Sequence, residues 1–72
     1  MLKEIFAFIL SELNNMIQDG INLQEEFETS DIVDDFILLT LRKEFSISQY
    51  SDEYEEIFQS VKEFITPHIA NA

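Results

Sequence analysis

The chain has no cysteine and no tryptophan, one glycine, one proline and four basic residues among its 72. Each shortage excludes something. Without cysteine there is no disulfide and no thiolate metal ligand to staple so short a chain. With Gly20 as the only glycine there is no Gly-rich phosphate loop. Four Lys and Arg against fifteen Asp and Glu leave a formal charge of −11. Nucleic-acid binding draws affinity from counterions displaced by Lys and Arg, so direct binding to DNA or RNA is not expected. Adsorption to anionic membranes is disfavoured for the same reason. One histidine, His68, and no thiol leave little from which to assemble a nucleophile and its base. The expectation is that the chain is not an enzyme.

What is present is apolar substance: 46% hydrophobic residues, including seven Phe. That is enough to form a core and to argue against disorder. A single domain spanning 1–72 follows from the length, near the lower limit for independent folding. At this size burial at about 25 cal/mol per Å² barely exceeds chain entropy, so the expected state is a monomer or weak dimer. The opening "MLKEIFAFILSEL" carries Glu4 and Glu12, lacks a small-residue cleavage site and is too short to span a bilayer. A cytoplasmic or organelle-stromal protein is expected.

Apolar residues three and four apart at Leu2, Ile5, Phe6, Ile9, Leu10, Leu13, Met16 and Ile17 predict a first helix over about 2–18. Phe8 falls off that stripe, at its edge or exposed to a partner. Asp19-Gly20 ends the helix where a left-handed residue is wanted. Residues 21 to 30, "INLQEEFETS", show no clean period and predict a long ordered loop anchored by Ile21, Leu23 and Phe27. A second helix over about 31–45 follows, with Ile37, Leu38, Leu41 and Phe45 facing the core and Leu39 projecting elsewhere. Ser30 or Asp31 caps its first amides, and Arg42-Lys43 complement its dipole. Asp52 and Glu55 predict a short third helix over 52–58; "SVKE", Ser60 to Glu63, predicts a fourth over 61–66. Thr66-Pro67 is expected to stop it and leave the tail "HIANA" frayed. The class is all-α.

Segment 19 to 35 concentrates seven acids (Asp19, Glu25, Glu26, Glu28, Asp31, Asp34 and Asp35) and no base. Neither this run nor Asp52/Glu53/Glu55/Glu56 follows the spaced calcium loop with its central glycine. Both read as solvated acidic helix starts, and no metal site is expected. Ser30, between loop and helix, has two readings: a helix cap, or a hydroxyl to which something is attached.

From Ser30 to Ile65 the chain resembles the second half of an acyl carrier protein. That family's second helix runs from Asp-Ser-Leu through alternating acidic and apolar residues to Phe-Gly-Ile. Here "SDIVDDFILLTLRKEFSI" matches without a gap, with Ile32 in the leucine position and "EFSI" closing. Downstream, "SDEYEEIFQSVKEFI" is similar to the family's short acidic third helix and its closing helix. The resemblance implies a small four-helix bundle of acyl-carrier type: three main helices, one short helix and a long loop after the first.

The family attaches 4'-phosphopantetheine to the serine of Asp-Ser-Leu. This chain reads Ser30-Asp31-Ile32, so the two residues are transposed and an aspartate falls on the serine position. A second register, Asp34-Asp35-Phe36, also puts an aspartate, Asp35, there and shortens the helix by a turn; the ungapped register keeps the apolar stripe. A carboxylate cannot form the phosphodiester, whereas Ser30 has the hydroxyl one residue away. The resemblance thus implies a carrier presenting a phosphopantetheine-linked acyl intermediate, as in fatty acid or polyketide biosynthesis, or a non-carrying relative docking on the same partners. Those partners are basic surfaces of acyl-transferring or condensing enzymes and a phosphopantetheinyl transferase. Asp31, Asp34, Asp35, Glu28 and Leu39 are the expected contacts. The charge also supports another reading, an acidic helical inhibitor or nucleic-acid mimic that blocks a basic surface.

Overall fold

Apolar residues at helical spacing decide where this chain coils, and capping side chains decide where it stops. The computed structural model describes residues 2–70 and contains four helices, with no strand among them. Helix α1 spans Leu2–Gln18 and buries Ile5, Ile9 and Leu13, each four residues after the last. Leu2 and Ile17, expected on the same stripe, overhang its ends and are exposed. Phe8 lies at the stripe's edge, where its ring meets Phe45 edge-on at 5.7 Å. Gly20 ends the helix with a φ of 85°; its N–H donates to the Ile17 carbonyl at 3.0 Å and that of Ile21 to Met16 at 2.9 Å. This is the paired Schellman closure, which glycine enters without a steric penalty.

The segment expected as a continuous loop holds one helical turn, α2 (Leu23–Glu26). Asn22 Oδ1 nucleates it by accepting the amides of Gln24 at 2.9 Å and Glu25 at 3.2 Å. Leu23 and Phe27 anchor the segment in the core as expected; Ile21 is exposed.

Helix α3 spans Ser30–Phe45, and its cap is neither Ser30 nor Asp31. Thr29, in extended backbone, accepts the Ile32 amide on its Oγ1 at 3.3 Å, so Ser30 is already the first helical residue. Ile37 and Leu41 are fully buried and Thr40 nearly so. Ser46 closes the helix in the left-handed region at φ 55°, at the position where the acyl-carrier pattern has glycine. The strain of about 1 kcal/mol turns the chain sharply. It brings the Ile47 amide to the Leu41 carbonyl at 2.9 Å and Ile47 itself into the core.

The largest correction lies beyond. The expected pair of helices, 52–58 and 61–66, is one continuous helix α4, Tyr54–Ala70. Ser60 and Glu63 match a capping box in sequence yet sit mid-helix, because Ile57, Val61, Ile65 and Ile69 form one buried row across them. Pro67 does not stop the helix either. Proline removes one amide and crowds the carbonyl four residues back. Around it Thr66 Oγ1 donates to the Lys62 carbonyl at 2.7 Å, and His68 Nδ1 lies 2.9 Å from that of Phe64. Past the proline, Ile69 is buried and Gln24 Nε2 donates to the Ala70 carbonyl at 3.0 Å, tying the helix end to α2. The tail through Ala70 is therefore helical; Asn71 and Ala72 lie outside the described residues.

Helix α4 packs against α1, α2 and α3. Stacked rings of Phe6 and Phe64, 4.2 Å apart and 8° from parallel, seal the α1–α4 seam. Full burial of each side chain such as Ile5, Ile9, Ile37, Leu41 or Ile65 contributes about 1.5–3 kcal/mol. The result is a small all-α bundle of three long helices and one short helix. The short helix follows α1 rather than preceding the last. Caps distinguish Thr29 from Ser30: Thr29→Ala should cost about 1 kcal/mol and Ser30→Ala only a few tenths in urea unfolding. Equal losses would contradict the assignment.

Candidate functional site

Successive residues of a helix turn by about 100°, so the start of α3 divides its side chains between two sides. Asp31, Ile32, Asp35 and Leu39 share one, and all are exposed. Ile32 and Leu39, 38% and 41% exposed, thus stand about two turns apart on this side, beside the two carboxylates. Glu28, exposed in the preceding turn, adds charge at the same end. Ser30, Val33, Asp34 and Ile37 lie on the other side. Asp34, three residues after Asp31 and next to it on the helix surface, is the expected contact residue that turns to α4.

Asp34 meets Lys62 of α4, with Nζ 2.8 Å from Oδ1. That oxygen is covered and has no hydrogen bond of good geometry, so the ammonium compensates it as a charge. Both side chains are about one-third exposed, which keeps the pair in the range of roughly 0.2–1 kcal/mol. The same Nζ donates to Ser30 Oγ at 3.2 Å. Lys62 therefore bridges two residues of the first turns of α3.

Below this bridge lies a cleft of about 290 Å³ between α4 and the chain entering α3. Phe27, Val33 and Ile69 supply its apolar walls, and Glu28, Thr29, Ser30, Lys62 and Thr66 its polar lining. The volume is at the lower end of the range of small-molecule pockets, about 300–1,000 Å³. Ser30 stands exposed at its edge, so its hydroxyl is open both to solvent and to the cleft.

Sequence reasoning singled out Ser30 and the aspartates but missed Lys62. Only its sign marked it: it is the one Lys or Arg after position 43. Among the described residues no group of three or more His, Cys, Asp or Glu is arranged to hold a metal ion. His68 rests against Phe64, ring centroids 4.8 Å apart. Among the described residues no helix is long and apolar enough to cross a membrane. No protein-family model, no curated protein and no solved structure matches the chain.

The acidic surroundings also act on Tyr54, at the start of α4. Burial, then the charges of Glu55 and Asp34, raise its phenol above its ordinary pKa of 10.0. Because the folded-state pKa is raised, this contribution to stability is complete below pH 10.0 and is lost as pH rises through the raised value. Alkaline unfolding should accordingly show a stability decline that Tyr54→Phe flattens. Superimposable pH profiles for the two proteins would contradict this.

Proposed function

We propose that this chain is a small acidic protein of carrier type, with Ser30 as the attachment point for a 4'-phosphopantetheine arm. The observation that carries the reading is the position of the Ser30 hydroxyl. It is exposed on the first turn of a long helix, at the edge of an apolar-walled cleft. Long helix, long connection, serine-led helix and closing helix follow in the order that the resemblance to acyl carrier proteins implies, except that the short third helix of that pattern is absorbed into the continuous α4. The transposed Ser30-Asp31 is accommodated because Thr29 takes the capping role and leaves the serine hydroxyl without that duty.

In the attachment step Oγ attacks the phosphorus of an activated phosphopantetheine donor on a transferase. An O–P bond forms, the donor's phosphoanhydride bond breaks, and its leaving group departs with the electron pair. The serine proton passes to a base of the transferase. The chain itself does no chemistry: it presents the arm's acyl thioester to partner enzymes, with the cleft sheltering the first part of the cargo. Partners would be acyl-transferring or condensing enzymes in the cytoplasm. Their basic patches would meet Asp31, Asp35 and Glu28, while Ile32 and Leu39 add apolar contact. A formal charge of −11 steers such encounters, accelerating association by about 10- to 1,000-fold at low salt.

Docking on a basic surface without an arm is the second reading. Ile32 and Leu39, exposed about two turns apart on the side of α3 that also carries Asp31 and Asp35, favour it independently of Ser30. The two are separated by co-expression with a broad-specificity phosphopantetheinyl transferase and intact-mass measurement. Carriage predicts the mass of one phosphopantetheine added to the wild type and not to Ser30→Ala. An unchanged wild-type mass would remove carriage and leave docking alone.

A further inference from the structure

Lys62 is oddly placed for a chain so rich in acid. It is the only Lys or Arg on α4, and its side chain, about one-third exposed, lines the cleft. An ammonium has three N–H donors. One is donated to Ser30 Oγ at 3.2 Å, while Asp34 is met at 2.8 Å as a charge without a well-formed hydrogen bond, so the ammonium keeps donor capacity beyond Ser30. A phosphorus bonded to Ser30 Oγ would be one bond beyond the atom that Lys62 already touches. Its unesterified oxygens would be two bonds beyond, inside the reach of the same ammonium.

The start of α3 adds to this. The first amides of a helix lack intrahelical acceptors, and the helix dipole favours negative charge there. Thr29 satisfies one of these amides, that of Ile32. Ser30, as the first helical residue of a 16-residue helix, holds its substituent beside this end. The opposing influence is the carboxylates. Glu28 lines the same cleft and Asp31 follows Ser30 directly, so both oppose an added negative charge; Asp35 lies farther round α3, and Asp34 is already paired with Lys62.

We infer that Lys62 is the counter-ion of a phosphate ester carried on Ser30. It rotates its free donor, and in part its Asp34 contact, onto the ester oxygens and holds the first atoms of the substituent against the cleft. Lys62 is a positioning residue in this account and touches no reacting acyl group. The inference deepens the reading of Ser30 as an attachment site and rests on it for phosphopantetheine, but the chemistry is that of any phosphate ester at this oxygen.

The test uses phosphoserine incorporated at position 30 of the full chain, with the phosphate followed by ³¹P NMR through its second ionisation. A neighbouring ammonium favours the dianion, so the titration midpoint in the otherwise native chain should lie below that in Lys62→Met. The expected difference is roughly 0.2–0.7 of a pH unit, what an exposed ion pair supplies. Lys62→Arg should keep the lowered midpoint, which separates charge from packing, and circular dichroism confirms that each variant is helical. Equal midpoints in the native and Lys62→Met backgrounds would overturn the inference. The transferase experiment stands apart: a lowered midpoint without transferase-dependent mass gain upholds Lys62 and removes phosphopantetheine. A mass gain with equal midpoints does the reverse.

Discussion

Four β-branched side chains set four residues apart, Ile57, Val61, Ile65 and Ile69, are the constraint on which this structure depends. All four are buried, so α4 has to stay helical through every one of them or expose part of the row. Helix α4 is also the element against which α1, α2 and α3 all pack. Each fully buried aliphatic side chain contributes about 1.5–3 kcal/mol, so the row together outweighs the roughly 1 kcal/mol offered by a capping alternative at Ser60. Continuity wins on magnitude.

The candidate site inherits its geometry from that row. Lys62 follows Val61 directly, so fixing Val61 inward fixes Lys62 beside it, facing the start of α3. A break near Ser60 would release the angular register between the two halves and with it the 2.8 Å and 3.2 Å contacts. The opposite partner is fixed from its own side. Ile37 and Leu41 pin α3 to the core, and Thr29 sets where its first turn begins. Ser30, Asp34 and Lys62 therefore meet because two separate apolar stripes and one cap agree. The outward side of α3 is free of these demands and carries Asp31, Asp35, Ile32 and Leu39, a surface suited to a basic partner.

How much of this was legible in the sequence depended on the range of the interaction involved. The stripes of α1 and α3, the glycine closure at Gly20, the anchoring by Leu23 and Phe27 and the exposure of Leu39 all follow from local spacing. Local signals also misled where tertiary packing overruled them. "SVKE" fits a cap in isolation, and Pro67 fits a stop, yet Ile65 and Ile69 are buried on either side of the proline. The turn α2, capped by Asn22, lies in a stretch with no apolar period, and the spacing there predicts only a loop. The Ser30–Lys62 contact, 32 residues apart in sequence, has no local signature, and neither does the inward turn of Ile47.

Amide hydrogen exchange along α4 tests this account most directly, read residue by residue by NMR. An unbroken helix predicts continuous protection from Phe58 through Phe64, with Ser60 and Val61 no less protected than Ile57 or Ile65. Rapid exchange at Ser60 and Val61 between two protected segments would mean two abutting helices, and Lys62 would then lose its fixed place opposite Ser30.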